Sequence, residues 1–543
     1  MKIIGTADPY FRAGDTDRAR SGAFANPMKV PIGAATAARS QMTWLFLGAI
    51  GVMAALALLT PLNHDEGQYI AAADMVAKGL LPYRDFPYLQ TPLQPILFAP
   101  IAWIAPGWTL IASRLVNALC VAVAILLIGR TASALAQDER AGMVAMLLAL
   151  VTDSVFMAGS IARNDALPLV LLAGALERLF AAPGPLRPGR GFVVGMLAAA
   201  AASAKISYAL PAAAICAQAL WRAREPIHRR AMLALLAGSV VGALPTLYFA
   251  LLEPRVFLFQ VYSYDIVAVR DWAMLKGQLW RLTIPFRIAE WTERMMTGPL
   301  LAMLVLGSVL RWRAAKPEAL AQAPIALGAV VAATVLATAL PMPALRQYLI
   351  PLAAPLIPWF MMLAWPWRNR SRNRWALVGS GLLAIAGVSR SVLLLINPSG
   401  EEAPLRVERE AHLIGRIARH AGATSIATLE PVHVVDSGLD LDPRFATGHF
   451  LFRAGNVPAC ADPALCPITS ASIERLGEPP PGAILTGTQH QHPATIVGGL
   501  DGLLDRWAAD HGYRAVAINR MNLLWLSPQT GSKPPPARSV EIR

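Results

Sequence analysis

Apolar runs of membrane-crossing length alternate with short polar stretches along most of the chain. A transmembrane helix needs about 20 apolar residues. The pattern predicts spans at 42–60, 108–129, 141–159, 166–182, 191–208, 209–221, 231–252, 298–311, 322–340, 346–365 and 375–396. The fold class expected is an α-helical polytopic membrane protein with about eleven transmembrane helices. Between the first two spans, "HDEGQYIAAADMVAKG" and "TPLQPILFAPIAWIAP" predict two short helices that do not span, within an outer loop at 61–107. Ile70, Ala73, Met75 and Val76 of the first are placed to rest on the membrane surface. After Asn397 no further run of span length occurs. There "HLIGRIARHAG" and "LDGLLDRWAADHGY" have helical spacing, and "TSIATLE", "GAILTGT", "RAVAIN" and "NLLWLS" read as strands. This predicts a small α/β domain over 397–527, followed by a disordered tail at 528–543.

Composition agrees. Of 543 residues, 55% are hydrophobic and 15% charged, which excludes an ordinary soluble globule. The formal net charge of +14 comes from short basic clusters between apolar runs, not from a basic stripe with interleaved aromatics, so nucleic acid is excluded as a partner. The clusters fall in alternate loops: Arg130 and Arg140; Arg187 and Arg190; Arg222, Arg224, Arg229 and Arg230; Arg311, Arg313 and Lys316; Arg368, Arg370, Arg372 and Arg374. By the positive-inside rule that side is cytoplasmic, together with the polar tail 1–41. An odd number of spans then places the C-terminal domain on the outer side, the periplasm of a bacterial inner membrane. The 253–297 loop, on that outer side, carries both basic and acidic residues and is too long to count against the assignment. The tail 1–41 lacks the apolar core of a cleavable signal peptide, and Met28 is an alternative start. Cys120 and Cys216 fall in apolar spans, whereas Cys460 and Cys466 in "ACADPALC" suit a disulfide in an oxidising compartment.

The chemistry clusters on the outer face. Asp65 and Glu66 open the first short helix, where carboxylates suit the helix dipole as plain caps. Arg163 and Asp165 in "ARNDAL" occupy the next outer connection, where Asp165 is also placed to cap the following span. Lys205 lies near the outer end of the fifth span, and an ionisable group at that depth is a functional candidate by default. Arg346 and Tyr348 begin the tenth span. Cations beside carboxylates on one face suit a substrate that joins an anionic phosphate to a sugar. Asp65, Glu66 and Asp165 are also the ligand types of a divalent cation, magnesium or manganese, which spacing alone does not decide.

In order, "HDEGQYIAAADMVAKG", "YLQTPLQP", "ARNDAL", "AAASAKISYALP" and "LRQYLIPLAAPL" resemble the GT-C superfamily of integral-membrane glycosyltransferases. The likeness is to the branch of the lipid A aminoarabinose transferase, the protein O-mannosyltransferases and the lipopolysaccharide-core sugar transferases. It implies an inverting transfer from a polyprenyl-phosphate sugar to a lipid-linked or cell-envelope glycan, lipid or protein acceptor. It also implies Asp65 as general base with Glu66 assisting, Asp165 as the second-loop catalytic acid, and Lys205 and Arg346 as donor-phosphate contacts, to which the outer-face positions of Arg163 and Tyr348 add two further candidates. The stretch Gln90-Thr91-Pro92-Leu93 departs from the Lys-Pro-Pro form of that family. Rival readings are an O-antigen ligase or polymerase, and a membrane transporter, although no internal repeat supports the latter. The topology is checked by fusion: alkaline phosphatase joined after Asn397 is expected to be active and joined after Arg140 inactive, and the opposite pattern inverts the orientation.

Overall fold

A computed structural model describes residues 32–181, 186–313, 322–341, 343–367, 403–454, 457, 466–487 and 499–528, with helical pieces between 378 and 388. Much of the span read at 375–396, most of the tail 1–41, Met28, Cys460 and nearly all of 528–543 lie outside the described residues. The first part of the chain is helical throughout: α1 (Ile32–Leu59), α2 (Glu66–Ala77), α3 (Leu93–Ile104), α4 (Thr109–Ala136), α5 (Glu139–Leu150), α6 (Asp153–Ser160), α7 (Ala166–Phe180) and α8 (Pro188–Ala204). There follow α9 (Ala209–Arg222), α10 (Pro226–Leu252), α11 (Pro254–Leu258), α12 (Tyr264–Leu275), α13 (Ile284–Met296), α14 (Leu300–Arg313), α15 (Gln322–Ala339) and α16 (Ile350–Ala364).

Among the described residues, four helical stretches are long and apolar enough to cross a membrane: Ser40–Leu59, Thr109–Ala136, Pro226–Leu252 and Arg346–Ala364. The count rises to six if α5 with α6, bent by 68°, and α13 with α14, bent by 93°, each form one span. The span read at 141–159 is therefore broken, at Thr152, whose hydroxyl donates to the Leu148 carbonyl instead of capping the next helix. The stretch Arg346–Ala364 is a central element, 94% buried. The segment 253–297, read as a loop, is largely helical: Val256, Phe257 and Val261 are buried against Phe249 and hold it down. Glycines fix the tightest helix contact. Gly195 of α8 has no room for a Cβ, which would strike the Leu235 carbonyl of α10, and Gly238 of α10 meets the Phe192 carbonyl in the same way. Two such small-residue faces let the backbones touch without a side-chain layer between them.

Residues 403–528 build a five-stranded sheet in the order β2 (Asp440–Leu441), β1 (Ser425–Thr428), β3 (Ala483–Thr486), β5 (Leu523–Leu526), β4 (Arg514–Ala517). The β2–β1 and β1–β3 pairs are parallel, and β3–β5 and β5–β4 antiparallel. Alternation along β1 sends Ile426 toward α17 (Pro404–His420), with Val407, Ile414 and Ala418. It sends Ala427 to the other face, where Leu504, Trp507 and Ala508 of α19 (Asp501–Asp510) pack; a short α18 (His449–Phe452) lies between. Cys466 is buried and disulfide-bonded, while Cys120 and Cys216 are free thiols.

This sheet unit sits directly on α2. Tyr69, Ile70, Ala71, Ala72 and Met75 share one apolar core with Val407, Ile414, Val432 and Val434. A Cβ at Gly67 would press on Val432 and Pro431. The face of α2 expected on the membrane surface is therefore covered by protein: Ile70, Ala73 and Met75 are all buried. Asp436 of the sheet unit accepts the N–H groups of Thr109 (2.9 Å) and Leu110 (3.0 Å), satisfying the otherwise unpaired N-terminus of α4.

The apolar α4 carries two polar side chains one turn apart, Arg114 and Asn117, both fully buried. Arg114 Nε and Nη2 donate to Glu66 at 2.8 and 2.6 Å, while Nη1 bonds the Ala57 and Thr60 carbonyls and Nη2 also reaches that of Pro61. Glu66 further accepts the backbone N–H of Asn63 (2.8 Å) and of Ala162 (2.7 Å). Asn117 donates to the Ile161 (2.9 Å) and Arg163 (2.8 Å) carbonyls. One helix thus fixes the end of α1, the start of α2 and the turn before α7. Removing one partner of such a buried pair leaves an uncompensated charge at a cost of about 3–5 kcal/mol. Arg114→Met is expected to lower thermal stability strongly, read as loss of the monodisperse peak after heating in detergent. An unchanged melting temperature would show that the pair does not organise the fold.

Candidate active site

Three helix breaks converge beside the sheet unit. Asp65 ends the α1–α2 connection, Arg163 and Asp165 lie between α6 and α7, and Lys205 separates α8 from α9. Their charges alternate in space. Arg163 Nη1 bonds Asp65 Oδ2, Arg163 Nε donates to Asp165 Oδ2 at 3.1 Å, and Lys205 Nζ bonds Asp165 Oδ1. Asn63 Oδ1 accepts the Asp65 N–H (3.1 Å) and receives Arg163 Nη1 at 3.4 Å. Exposures of 9% for Asp65, 5% for Arg163, 1% for Asp165 and 4% for Lys205 make this an ion chain largely removed from water. Neither Asp65 nor Asp165 bonds the N–H groups of the helix it precedes, although both stand at the cap position. The plain-cap reading of both acids therefore fails, and their carboxylates are spent on each other's cations.

Asp65 and Arg163 open onto a cavity of about 390 Å³. Tyr69 and Tyr348 also line it, and Lys205 Nζ stands 5.9 Å from the Tyr348 ring centre behind that wall. Lys205 and Asp165 themselves are set back from the lining, and so is Arg346, which pairs with Asp153 at 3.1 Å. Glu66 faces Arg114 and not the cavity. Of the residues singled out in the sequence, the structure brings Asp65, Arg163 and Tyr348 to the surface of one cavity. Asp165 and Lys205 lie behind them, and Glu66 and Arg346 have their own partners.

Residues that sequence reasoning missed complete the walls. Asp265, Lys276 and Arg281 come from the 264–282 stretch, and Phe450 and Arg453 from the sheet unit. Tyr264 donates to the Phe450 carbonyl at 2.6 Å and ties the two together. The available signal was the mixed charge of the 253–297 segment. Burial pushes the Asp65 carboxyl up, but the combined charges of Arg163, His64, His449 and Lys205 outweigh it and hold the group below the usual aspartate range. Asp265 lines the same cavity but is exposed, with Lys205, Arg453 and Asp65 among the charges acting on it.

The residues do not fit a divalent cation as they are arranged. Arg163 occupies the space between Asp65 and Asp165, and Lys205 takes another oxygen of Asp165. Among the described residues no group of three His, Cys, Asp or Glu side chains converges on a point where an ion could sit.

No family model matches the sequence, and no curated protein matches it either. Solved structures do. The chain superposes on ArnT from Cupriavidus metallidurans bound to undecaprenyl phosphate with a TM-score of 0.56 at 14% identity, over 91% of this chain and 99% of that one. The chain has the GT-C fold. The oligosaccharyltransferase of Archaeoglobus fulgidus in the apo form superposes with a TM-score of 0.51 at 11% identity, over 87% of this chain and 73% of that one.

Asp65 supplies a pH test. A carboxyl held low in the folded state adds stability above its unfolded pKa of about 3.9 and loses it as pH falls through the folded value. The melting-temperature gap between the protein and Asp65→Asn is expected to be open at neutral pH and to close below about pH 4. A gap that is constant with pH would show that the Asp65–Arg163 pair does not stabilise the fold.

Proposed function

We propose that the protein is an inverting membrane glycosyltransferase. It moves a sugar from a polyprenyl-phosphate donor to a lipid-linked or cell-envelope glycan acceptor, on the periplasmic face of a bacterial inner membrane. The observation that carries this reading is the Asp65–Arg163–Asp165–Lys205 ion chain presented at a cavity wall beside further cations. The neighbour ArnT was solved with undecaprenyl phosphate, which supports a lipid-phosphate donor for this fold. Orientation rests on the basic loops, with the N-terminus cytoplasmic. The pairing of Cys460 with Cys466, in an oxidising compartment, belongs to the same reading.

A sugar hydroxyl is a weak nucleophile, and a positioned carboxylate must take its proton as attack proceeds. Two carboxylates line the wall, Asp65 and Asp265, and Asp65 is the one held charged by a direct bond to Arg163. The leaving phosphate gains charge, and cations aimed at it lower the barrier. Arg163 and Tyr348 face the space where that group would lie. Lys205 and Arg346 act from behind, Lys205 by fixing Asp165 against Arg163 and Arg346 by fixing the turn that presents Tyr348. Glu66 is a positioning residue that holds Asp65 through the α2 start. A single displacement inverts the anomeric centre.

The test uses purified protein in nanodiscs with a panel of undecaprenyl-phosphate-linked hexoses and pentoses and an extracted envelope glycolipid acceptor, scored by mass spectrometry. Sugar transfer is expected, with turnover reduced roughly 100-fold or more in monodisperse Asp65→Asn. Near-native turnover in Asp65→Asn would remove Asp65 as the base, and absence of transfer from every donor would remove the function.

A further inference from the structure

Asp65 has a difficulty as a base. The Arg163 guanidinium that holds its carboxylate also disfavours the protonated form, so a proton arriving from an acceptor hydroxyl is weakly held. A second titratable group meets the carboxylate from the solvent side. His64 Nε2 lies 3.2 Å from Asp65 Oδ1, and the His64 side chain is 64% exposed where that of Asp65 is 12%. The ring lines the same cavity. Its place is set by the sheet unit, with Phe450 and His449 at 6.3 and 5.9 Å between ring centres. His449 in turn sits 3.4 Å from Glu430 and is only 4% exposed on its side chain, so the platform beside His64 is fixed. Imidazole is the side chain whose ordinary titration range lets it exchange protons with both a carboxylate and water near neutral pH.

We infer that His64 is the proton outlet of the site, carrying away the proton that Asp65 takes from the acceptor. This rests on the sugar-transfer reading above. The step balances. The acceptor oxygen bonds the anomeric carbon as the bond from that carbon to the phosphate oxygen breaks, its electron pair leaving with the lipid phosphate. The hydroxyl proton passes to Asp65 and then to Nε2 of His64, and the ring releases a proton from Nδ1 to water. His64 acts through Asp65 and touches no reacting atom, so it is a positioning residue for the proton. The contact would otherwise be a plain electrostatic one, with His64 only adding charge beside Asp65.

The experiment uses the full chain in nanodiscs with whichever undecaprenyl-phosphate-linked sugar the wild type transfers. His64→Gln is expected to lower kcat about tenfold with KM little changed, a smaller loss than removal of the base itself. Added imidazole is expected to restore its turnover, while Asp65→Asn stays inactive with imidazole present. A His64→Gln variant with native kcat, or one whose loss imidazole leaves untouched, overturns the outlet. In that case the inactivity of Asp65→Asn still stands for the transfer reading. If the wild type transfers no sugar, that reading fails and the outlet falls with it.

Discussion

The structure depends on a guanidinium in the second turn of an apolar helix. Arg114 makes five hydrogen bonds with no exposure to solvent, to both oxygens of Glu66 and to three carbonyls at the end of α1. A charge in that setting is tolerable only if every donor is met. The chain must therefore bring the α1 terminus, the α2 start and the turn before α7 to one point. Glu66 takes the Ala162 N–H, and Asn117, one turn along, holds the carbonyls on either side of it. The positions of Asp65 and Arg163 follow, because each is the next residue along a strand of backbone that α4 has already fixed.

From that fixed frame the ion chain takes its order. Asp65, Arg163, Asp165 and Lys205 alternate in sign, so each buried charge has a counter-charge beside it. Such a chain is poor as a source of stability, since desolvation consumes much of the attraction. It is well suited to holding a carboxylate and a guanidinium rigid at a cavity wall before any substrate arrives, which is where preorganised charge matters most. Lys205 illustrates the cost. It stands at the break between α8 and α9, both of which are shorter than a full span.

Much of this was legible in the sequence, and the remainder was hidden for identifiable reasons. The apolar runs marked the helices, and the alternation in "TSIATLE", "GAILTGT", "RAVAIN" and "NLLWLS" marked four strands of the sheet at their places. The acids and Lys205 were visible as charges at the ends of apolar runs. Their pairing was not, because Asp65 and Arg163 are 98 residues apart. Arg114 carried a usable signal, an ionised side chain inside a predicted span, and so did two glycine pairs spaced four residues apart, Gly191 with Gly195 and Gly238 with Gly242. The cap reading of Asp65 and Asp165 failed because local propensity knows the helix end but not the cation waiting across the fold. The surface reading of α2 failed for a similar reason: an apolar face fits a membrane or a protein core equally well.

The cavity has two kinds of wall, and they differ in how easily they can move. The sheet unit is bound to α2 through a continuous apolar core, to the α4 N-terminus through Asp436, and to Lys78 through Asp440 at 3.0 Å. Large apolar contact of this kind suppresses relative motion. Its contribution at the cavity, Phe450 and Arg453, is therefore a fixed wall. The wall from Tyr264 to Leu282 is made of short helical pieces with Ile266, Val267, Leu279 and Trp280 exposed. Tyr264 is buried with Leu451 and Ala454 and pins the start of this wall to the sheet unit, while the side chains beyond it are less covered. The 264–282 stretch is thus tied to the sheet unit at Tyr264 and presents apolar side chains outward beyond it, while the sheet unit holds its own side of the cavity fixed.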